Sequence, residues 1–171
     1  MIADAAGRFP EALRNEADQR FFRAGLDSAA GIALGRLTHA QEPNSGRRRL
    51  VLTRRVASLA PDPADGKALF WNPAGASFEA ARLTLGVRQG VLAVIGGAEV
   101  YMVFFALGYD AFHLSRANRV QLLDGRPAFP GVGDRYTPEE VLKQHGLKPG
   151  PVRLLDPAAG VTLVTWTPAS T

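Results

Sequence analysis

The stretch Val91-Leu92-Ala93-Val94-Ile95-Gly96-Gly97-Ala98-Glu99-Val100-Tyr101 decides how the rest of the chain is read. It is an apolar run, then two glycines, then apolar residues at helical spacing (Val100, Val103, Phe104, Leu107). A short apolar run ending at glycines reads as a buried strand of a largely parallel sheet. Glycines let the backbone turn sharply and come close to a ligand, because no Cβ is in the way. The helix that follows opens with free N–H groups and a positive dipole end, which suits a phosphate. Strand, Gly96-Gly97 and helix start therefore form a candidate pyrophosphate site, although such a turn also serves plain packing.

Upstream of this stretch the same pattern recurs. Gly31-Ile32-Ala33-Leu34-Gly35 reads as a buried strand that runs into a brief helix at Arg36-Leu37-Thr38-His39. After a turn at Pro43 to Arg48, Arg49 to Thr53 reads as a second strand that delivers Thr53, Arg54 and Arg55 at its carboxyl end. Ala68 to Trp71 is a third strand, preceded by a loop from Pro61 to Gly66. Ser77 caps a helix whose buried stripe is Phe78, Ala81 and Leu85. Before all of these, residues 11–28 carry helical spacing at Leu13, Ala17, Phe21, Phe22, Ala24 and Leu26.

Downstream, Ala111 to Ser115 is a further strand, and Gln121 to Val132 is a loop rich in Gly and Pro. Thr137-Pro138-Glu139-Glu140 starts a helix that Gly146 ends. Val152 to Leu155 and Val161 to Trp166 flank a turn and read as a terminal antiparallel hairpin. Strands alternating with helices, followed by a hairpin, make an α/β architecture with one mixed, mainly parallel sheet. Residues 1–171 read as a single domain, with no linker long enough to split them. In such sheets ligands sit beyond the carboxyl ends of the strands. Three phosphate-friendly groups fall there: Arg36 to Thr38, Thr53 to Arg55, and Gly96-Gly97.

Composition narrows the classes. The chain is 46% apolar and 21% charged, as in an ordinary globular protein. No apolar run is long enough to span a bilayer, and no secretory h-region follows the first residues. There is no cysteine, which excludes disulfides and thiolate chemistry and fits a cytoplasmic setting. The three histidines, His39, His113 and His145, lie far apart, so no metal site is expected. Arg47, Arg48, Arg49, Arg54 and Arg55 cluster, as a solvated loop, a phosphate-cofactor site or a nucleic-acid patch would. Aromatic residues do not interleave with them, which argues against nucleic acid.

With its three strand-end groups in order, the chain resembles the dihydrofolate reductase-like family, which includes the reductase domain of riboflavin biosynthesis. The matching residues are Ala17-Asp18 with Phe21-Phe22-Arg23, Ile32 to Thr38, Leu50 to Arg54, Val94 to Tyr101, Phe112 to Ser115, and Ala128-Phe129-Pro130. The resemblance covers roughly residues 2–130. It implies a three-layer fold with helices on both faces of the sheet and a C-terminal hairpin. It also implies NADPH as hydride donor to the C=N of a dihydrofolate, another pterin or a pyrimidine.

By position, it places cofactor phosphates on Arg36 and Thr38, and the 2′-phosphate end on Thr53, Arg54 and Arg55. It places the cofactor's central part against Gly96, Gly97, Ala98, Glu99 and Val100, with a cis bond between the two glycines. Tyr101 falls near nicotinamide and substrate, Asp18 in the role of the catalytic carboxylate, Phe22 on the substrate ring, and Ser115 as a hydroxyl supporting the carboxylate. The partner is then a small-molecule substrate, and the protein a monomer or homodimer. The other reading is a degenerate or truncated relative that binds a nucleotide or a protein without catalysis.

Two departures stand out. Family members begin with a strand in the middle of the sheet, and here the chain starts at the loop after it. The neighbours of that strand would then keep unpaired ladder groups, at about 1–3 kcal/mol for each one left unsatisfied. In-frame sequence upstream is therefore expected to supply an apolar segment. The loop from Ile2 to Glu16 also lacks the tryptophan usual in dihydrofolate reductases, which leaves room for a substrate other than folate.

Overall fold

The computed structural model describes residues 3, 8–41, 46–122 and 124–169. Most of the first part of the Ile2–Glu16 loop and the first half of the Pro43–Arg48 turn lie outside these. The chain divides into two compact units, Ala24–Phe104 and Met1–Arg23 with Phe105–Thr171.

In the Ala24–Phe104 unit, strands β1 (Gly31–Gly35), β2 (Arg49–Leu52), β3 (Leu59–Asp62), β4 (Asp65–Trp71) and β5 (Leu92–Gly96) form one sheet in the order β3-β4-β2-β1-β5. β4, β2, β1 and β5 run parallel, and β3 returns antiparallel along β4. The expected loop at Pro61 to Gly66 is thus a tight hairpin. Proline reads as a strand breaker, but Pro61 sits on the edge strand, where a missing ladder donor is tolerated. Helices α2 (Arg36–Gln41) and α3 (Phe78–Thr84) belong to this unit. Ser77 caps α3 by accepting from the Ala80 amide, as its position predicted. Ile32, Leu34, Val51 and Ala68 form an apolar cluster on the parallel strands. Trp71 is also buried, donates its indole N–H to the Ala76 carbonyl, and packs edge-on against Phe104 at 6.2 Å.

In the other unit, β6 (Phe112–Ala117), β7 (Leu147–Asp156) and β8 (Val161–Pro168) form an antiparallel sheet in the order β6-β8-β7. The terminal hairpin expected from the sequence is β7-β8, longer at its outer ends than its apolar core. Phe105, Phe112 and Phe129 pack together, with the His145 ring stacked on Phe105 at 4.2 Å. Helix α5 (Pro138–Gln144) opens on a full capping box between Thr137 and Glu140.

Two helices run across the division, α1 (Glu16–Ser28) and α4 (Ala98–Leu107). The single helix read over residues 11–28 is a 3-10 turn at Glu11–Leu13 followed by α1. Asn15 makes the break. Its Oδ1 accepts from the Ala17 and Asp18 amides, and its Nδ2 donates to Asp156 at 2.7 Å. The Ala159 amide, and then Asn15, hold the Asp156 carboxyl below its ordinary range.

The strands lie in two sheets where the sequence reading placed one. β5 pairs with β1, and no other described strand pairs with it. β6 likewise pairs only with β8 among the described residues.

Candidate functional site

Because β1, β2 and β5 are parallel neighbours, their carboxyl ends share one edge of the sheet. Gly35 pairs with Leu52 on one side, and Leu34 with Gly96 on the other. Arg36 and Thr38 therefore leave the centre of that edge, with Thr53 to Arg55 on one flank and Gly96-Gly97 on the other. Sequence positions far apart are brought together by register alone.

Arg36 and Thr38 are half-buried on α2. The Thr53 amide donates to the Trp71 carbonyl, which fixes the chain just past β2. The Thr53 hydroxyl accepts from the Arg55 amide at 3.2 Å, folding Arg54 and Arg55 into an exposed turn. The Gly96–Gly97 bond is cis. Gly97 is exposed, and a Cβ built on it would meet no atom within 4 Å. Its carbonyl accepts from the Val100 and Tyr101 amides and so starts α4. First-turn amides such as those of Ala98 and Glu99 have no acceptor within their own helix.

Gly96 is the opposite case. It is buried at φ +101°, and a Cβ there would lie 2.8 Å from Tyr101 Oη. Tyr101 thus packs beneath the glycine turn. Burial pushes its phenol up to about 12, so it stays protonated at neutral pH and is a donor rather than a base.

Asp18, Phe22 and Ser115 belong to the other unit. Asp18 is half-buried in the first turn of α1, and Phe22 is 49% exposed. Phe21, not Phe22, makes the aromatic contacts. It lies edge-on to His113 at 5.1 Å and under the Arg153 guanidinium at 5.7 Å. Burial, and then Arg153, hold His113 below its ordinary value. The Ser115 hydroxyl donates to the Thr162 carbonyl at 3.3 Å. The supporting role given to Ser115 therefore meets a competing backbone acceptor across β6 and β8.

One group escaped the sequence reading. Arg49, counted there with the basic cluster, is 1% exposed. Its Nη1 donates to His39 Nδ1 at 3.1 Å, and His39 Nε2 faces Asp62 Oδ2 at 2.7 Å. A guanidinium only donates, so Nδ1 accepts and the imidazole proton sits on Nε2, towards Asp62. The Ala64 amide, and then His39, hold the Asp62 carboxyl below its ordinary range. This chain ties α2 to β2 and β3. The only sequence signal was a charged residue opening an apolar strand.

Among the described residues, no group of three His, Cys, Asp or Glu is placed to hold a metal. No described helix is long and apolar enough to cross a membrane.

Solved structures share this architecture. A deaminase/5-amino-6-(5-phosphoribosylamino)uracil reductase from Thermotoga maritima superposes with TM-score 0.61 at 16% identity, over 98% of this chain and 53% of that one. RibD from Acinetobacter baumannii gives TM-score 0.66 at 14% identity, over 98% and 54%. The chain has a dihydrofolate reductase-like fold. A pyrimidine reductase-like protein from Corynebacterium diphtheriae gives TM-score 0.61 at 16% identity, over 94% and 84%. The chain spans about half the length of the first two. No family model matches the sequence, and no curated protein matches it significantly.

Proposed function

We propose that this chain is an NADPH-dependent reductase that transfers hydride to the C=N of a dihydrofolate or a related pterin or pyrimidine substrate. One observation carries the reading: Arg36, Thr38, Thr53, Arg54 and Arg55 share a sheet edge with Gly97, whose Cβ position is empty. The residues fit a cofactor with several phosphates. They combine guanidinium groups, two hydroxyls, first-turn amides and a glycine that lets backbone approach a ligand. NADPH, when bound, supplies the hydride.

On this reading Arg36 and Thr38 hold the pyrophosphate, and Thr53, Arg54 and Arg55 hold the 2′-phosphate. Gly96, Gly97, Ala98, Glu99 and Val100 present backbone to the cofactor. Asp18 binds the substrate's amino group and ring N–H, and assists protonation of the imine nitrogen as its carbon accepts hydride. Phe22 and Tyr101 border the substrate. Two of the similar structures are named for pyrimidine or aminouracil reduction, which favours a pyrimidine over folate. A monomer or homodimer in the cytoplasm fits this role.

The test is NADPH binding followed by nicotinamide fluorescence and thermal shift. Gly97→Ala should weaken NADPH roughly tenfold while leaving the apo melting temperature unchanged. Asp18→Asn should cut turnover and spare NADPH affinity. Absence of any stabilisation at millimolar NADPH would defeat the proposal. Dihydrofolate and a ribosylaminopyrimidine phosphate, compared as substrates, separate folate from pyrimidine reduction. One observation favours a second reading, a nucleotide binder without catalysis: the Ser115 hydroxyl is engaged by Thr162. NADPH binding without oxidation by either substrate would support it.

A further inference from the structure

The basic cluster at residues 47–55 does not act as one patch. Arg54 and Arg55 follow the carboxyl end of β2, Arg49 is buried, and Arg47 and Arg48 precede its amino end. The last two face a different feature. A cavity of about 820 Å³ opens at the amino ends of β1 and β2, lined by Arg47, Arg48, Lys67, Gly46, Gly66 and Thr84 among others. Its position follows from the backbone, since the Ile32 amide donates to the Arg48 carbonyl at the start of the β1–β2 ladder.

The lining of the cavity points to an anion. Among the described residues, its lining includes three cationic side chains and no carboxylate. Arg47 is ion-paired with Asp27, but among the described residues neither Arg48 nor Lys67 forms an ion pair. Lys67 instead donates Nζ to the Gly46 carbonyl at 2.9 Å, which places its charge beside the arginines. Arg48 lies along Gly86, where a built Cβ would come 3.4 Å from its Nε. The remaining lining is largely alanine and glycine, so the backbone stays accessible. A volume of this size falls within the range of small-molecule sites, about 300–1,000 Å³, and exceeds what one inorganic phosphate needs.

We infer that this cavity is a second anion site, taking a phosphate-bearing small molecule on Arg48 and Lys67. It lies at the opposite end of the parallel strands from Arg36, Thr53 and Gly97. A five-residue strand such as β1 separates the two ends by about 13 Å. The two sites can therefore be filled together, and this one stands or falls independently of the reductase reading.

The probe is inorganic pyrophosphate, followed by thermal shift and calorimetry on the full chain. Pyrophosphate should raise the melting temperature of the wild type. In an Arg36→Gln/Arg54→Gln background, which disables the proposed cofactor edge, adding Arg48→Gln/Lys67→Gln should weaken its binding roughly tenfold. Lys67→Glu should show the same loss from a single exposed position, and Lys148→Gln, an exposed change outside the lining, should leave the response as it was. The inference is overturned if the wild type gives no shift, or if potassium chloride at matched ionic strength reproduces it. It is equally overturned if, in the Arg36→Gln/Arg54→Gln background, the shift survives Arg48→Gln/Lys67→Gln, or if Lys148→Gln abolishes it.

Discussion

Replacing Gly96 with alanine tests the geometry of the glycine turn directly. Gly96 is buried at φ +101°, a conformation L residues avoid. For a non-glycine residue the left-handed conformation costs about 1–2 kcal/mol. The new Cβ would also stand 2.8 Å from Tyr101 Oη, 2.9 Å from Cζ and 3.1 Å from Cε2. The phenol is buried, so it yields only by displacing its surroundings, and overpacking of this kind costs about 1–3 kcal/mol. Together the two effects give about 2–5 kcal/mol. At 2–4 °C for each kcal/mol, the melting temperature should fall by about 4–20 °C.

Circular dichroism melts and urea titrations measure this. Gly35→Ala is the control, because its Cβ would meet Val100 at 3.5 Å and the Gly96 carbonyl at 4.0 Å, both ordinary contacts. Its loss should stay within about 1 kcal/mol. A double-mutant cycle of Gly96→Ala with Tyr101→Ala isolates the clash, since alanine at position 101 removes the ring and leaves only the backbone penalty. If Gly96→Ala melts as high as Gly35→Ala, or if the cycle shows no coupling, the packing of Tyr101 beneath Gly96 is wrong.

Two further outcomes follow from side-chain contacts. Asp62 has a lowered pKa in the folded protein, so its stabilisation is present above the ordinary carboxylate pKa and is lost as pH falls through the lowered folded value. Asp62→Asn should therefore flatten the acid limb of a melting temperature against pH curve, and an unchanged limb would show that the Ala64 and His39 contacts to Asp62 are not formed in solution. Thr137→Ala removes the hydroxyl that accepts from the Glu140 amide and should cost about 1 kcal/mol, read as a lower urea midpoint with unchanged slope. Thr137→Ser keeps the oxygen and should recover most of that loss.

Much of the scaffold is legible residue by residue. Ile32 to Leu34 and Leu50 to Val51 are apolar runs too short for helices and bounded by turn residues, and both are buried parallel strands. Ser77 and Thr137 announce α3 and α5 because a cap acts within four residues. The β3 strand was illegible for a complementary reason. Pro61 reads as a breaker, and only its place at the sheet's edge makes it acceptable. Asn15 was missed because its bond to Asp156 joins residues 141 positions apart.

By itself, the sequence determines the succession of strands and helices, since periodicity, caps and glycines act over one or two turns. It also determines that Arg36, Thr53 and Gly96 each follow a strand. Only the tertiary structure decides that these three share one edge, because that depends on strand order and register. The same holds for the arginine cluster, which strand β2 divides between a buried network, the candidate cofactor edge and the cavity at the far end. Residues adjacent in sequence are carried apart along an extended strand at about 3.3 Å per residue, and its pleat turns successive side chains to opposite faces. The Gly96-Gly97 turn shows both levels: two glycines are visible in the sequence, but only the fold distinguishes Gly96, closed by Tyr101, from Gly97, with open space where a Cβ would stand.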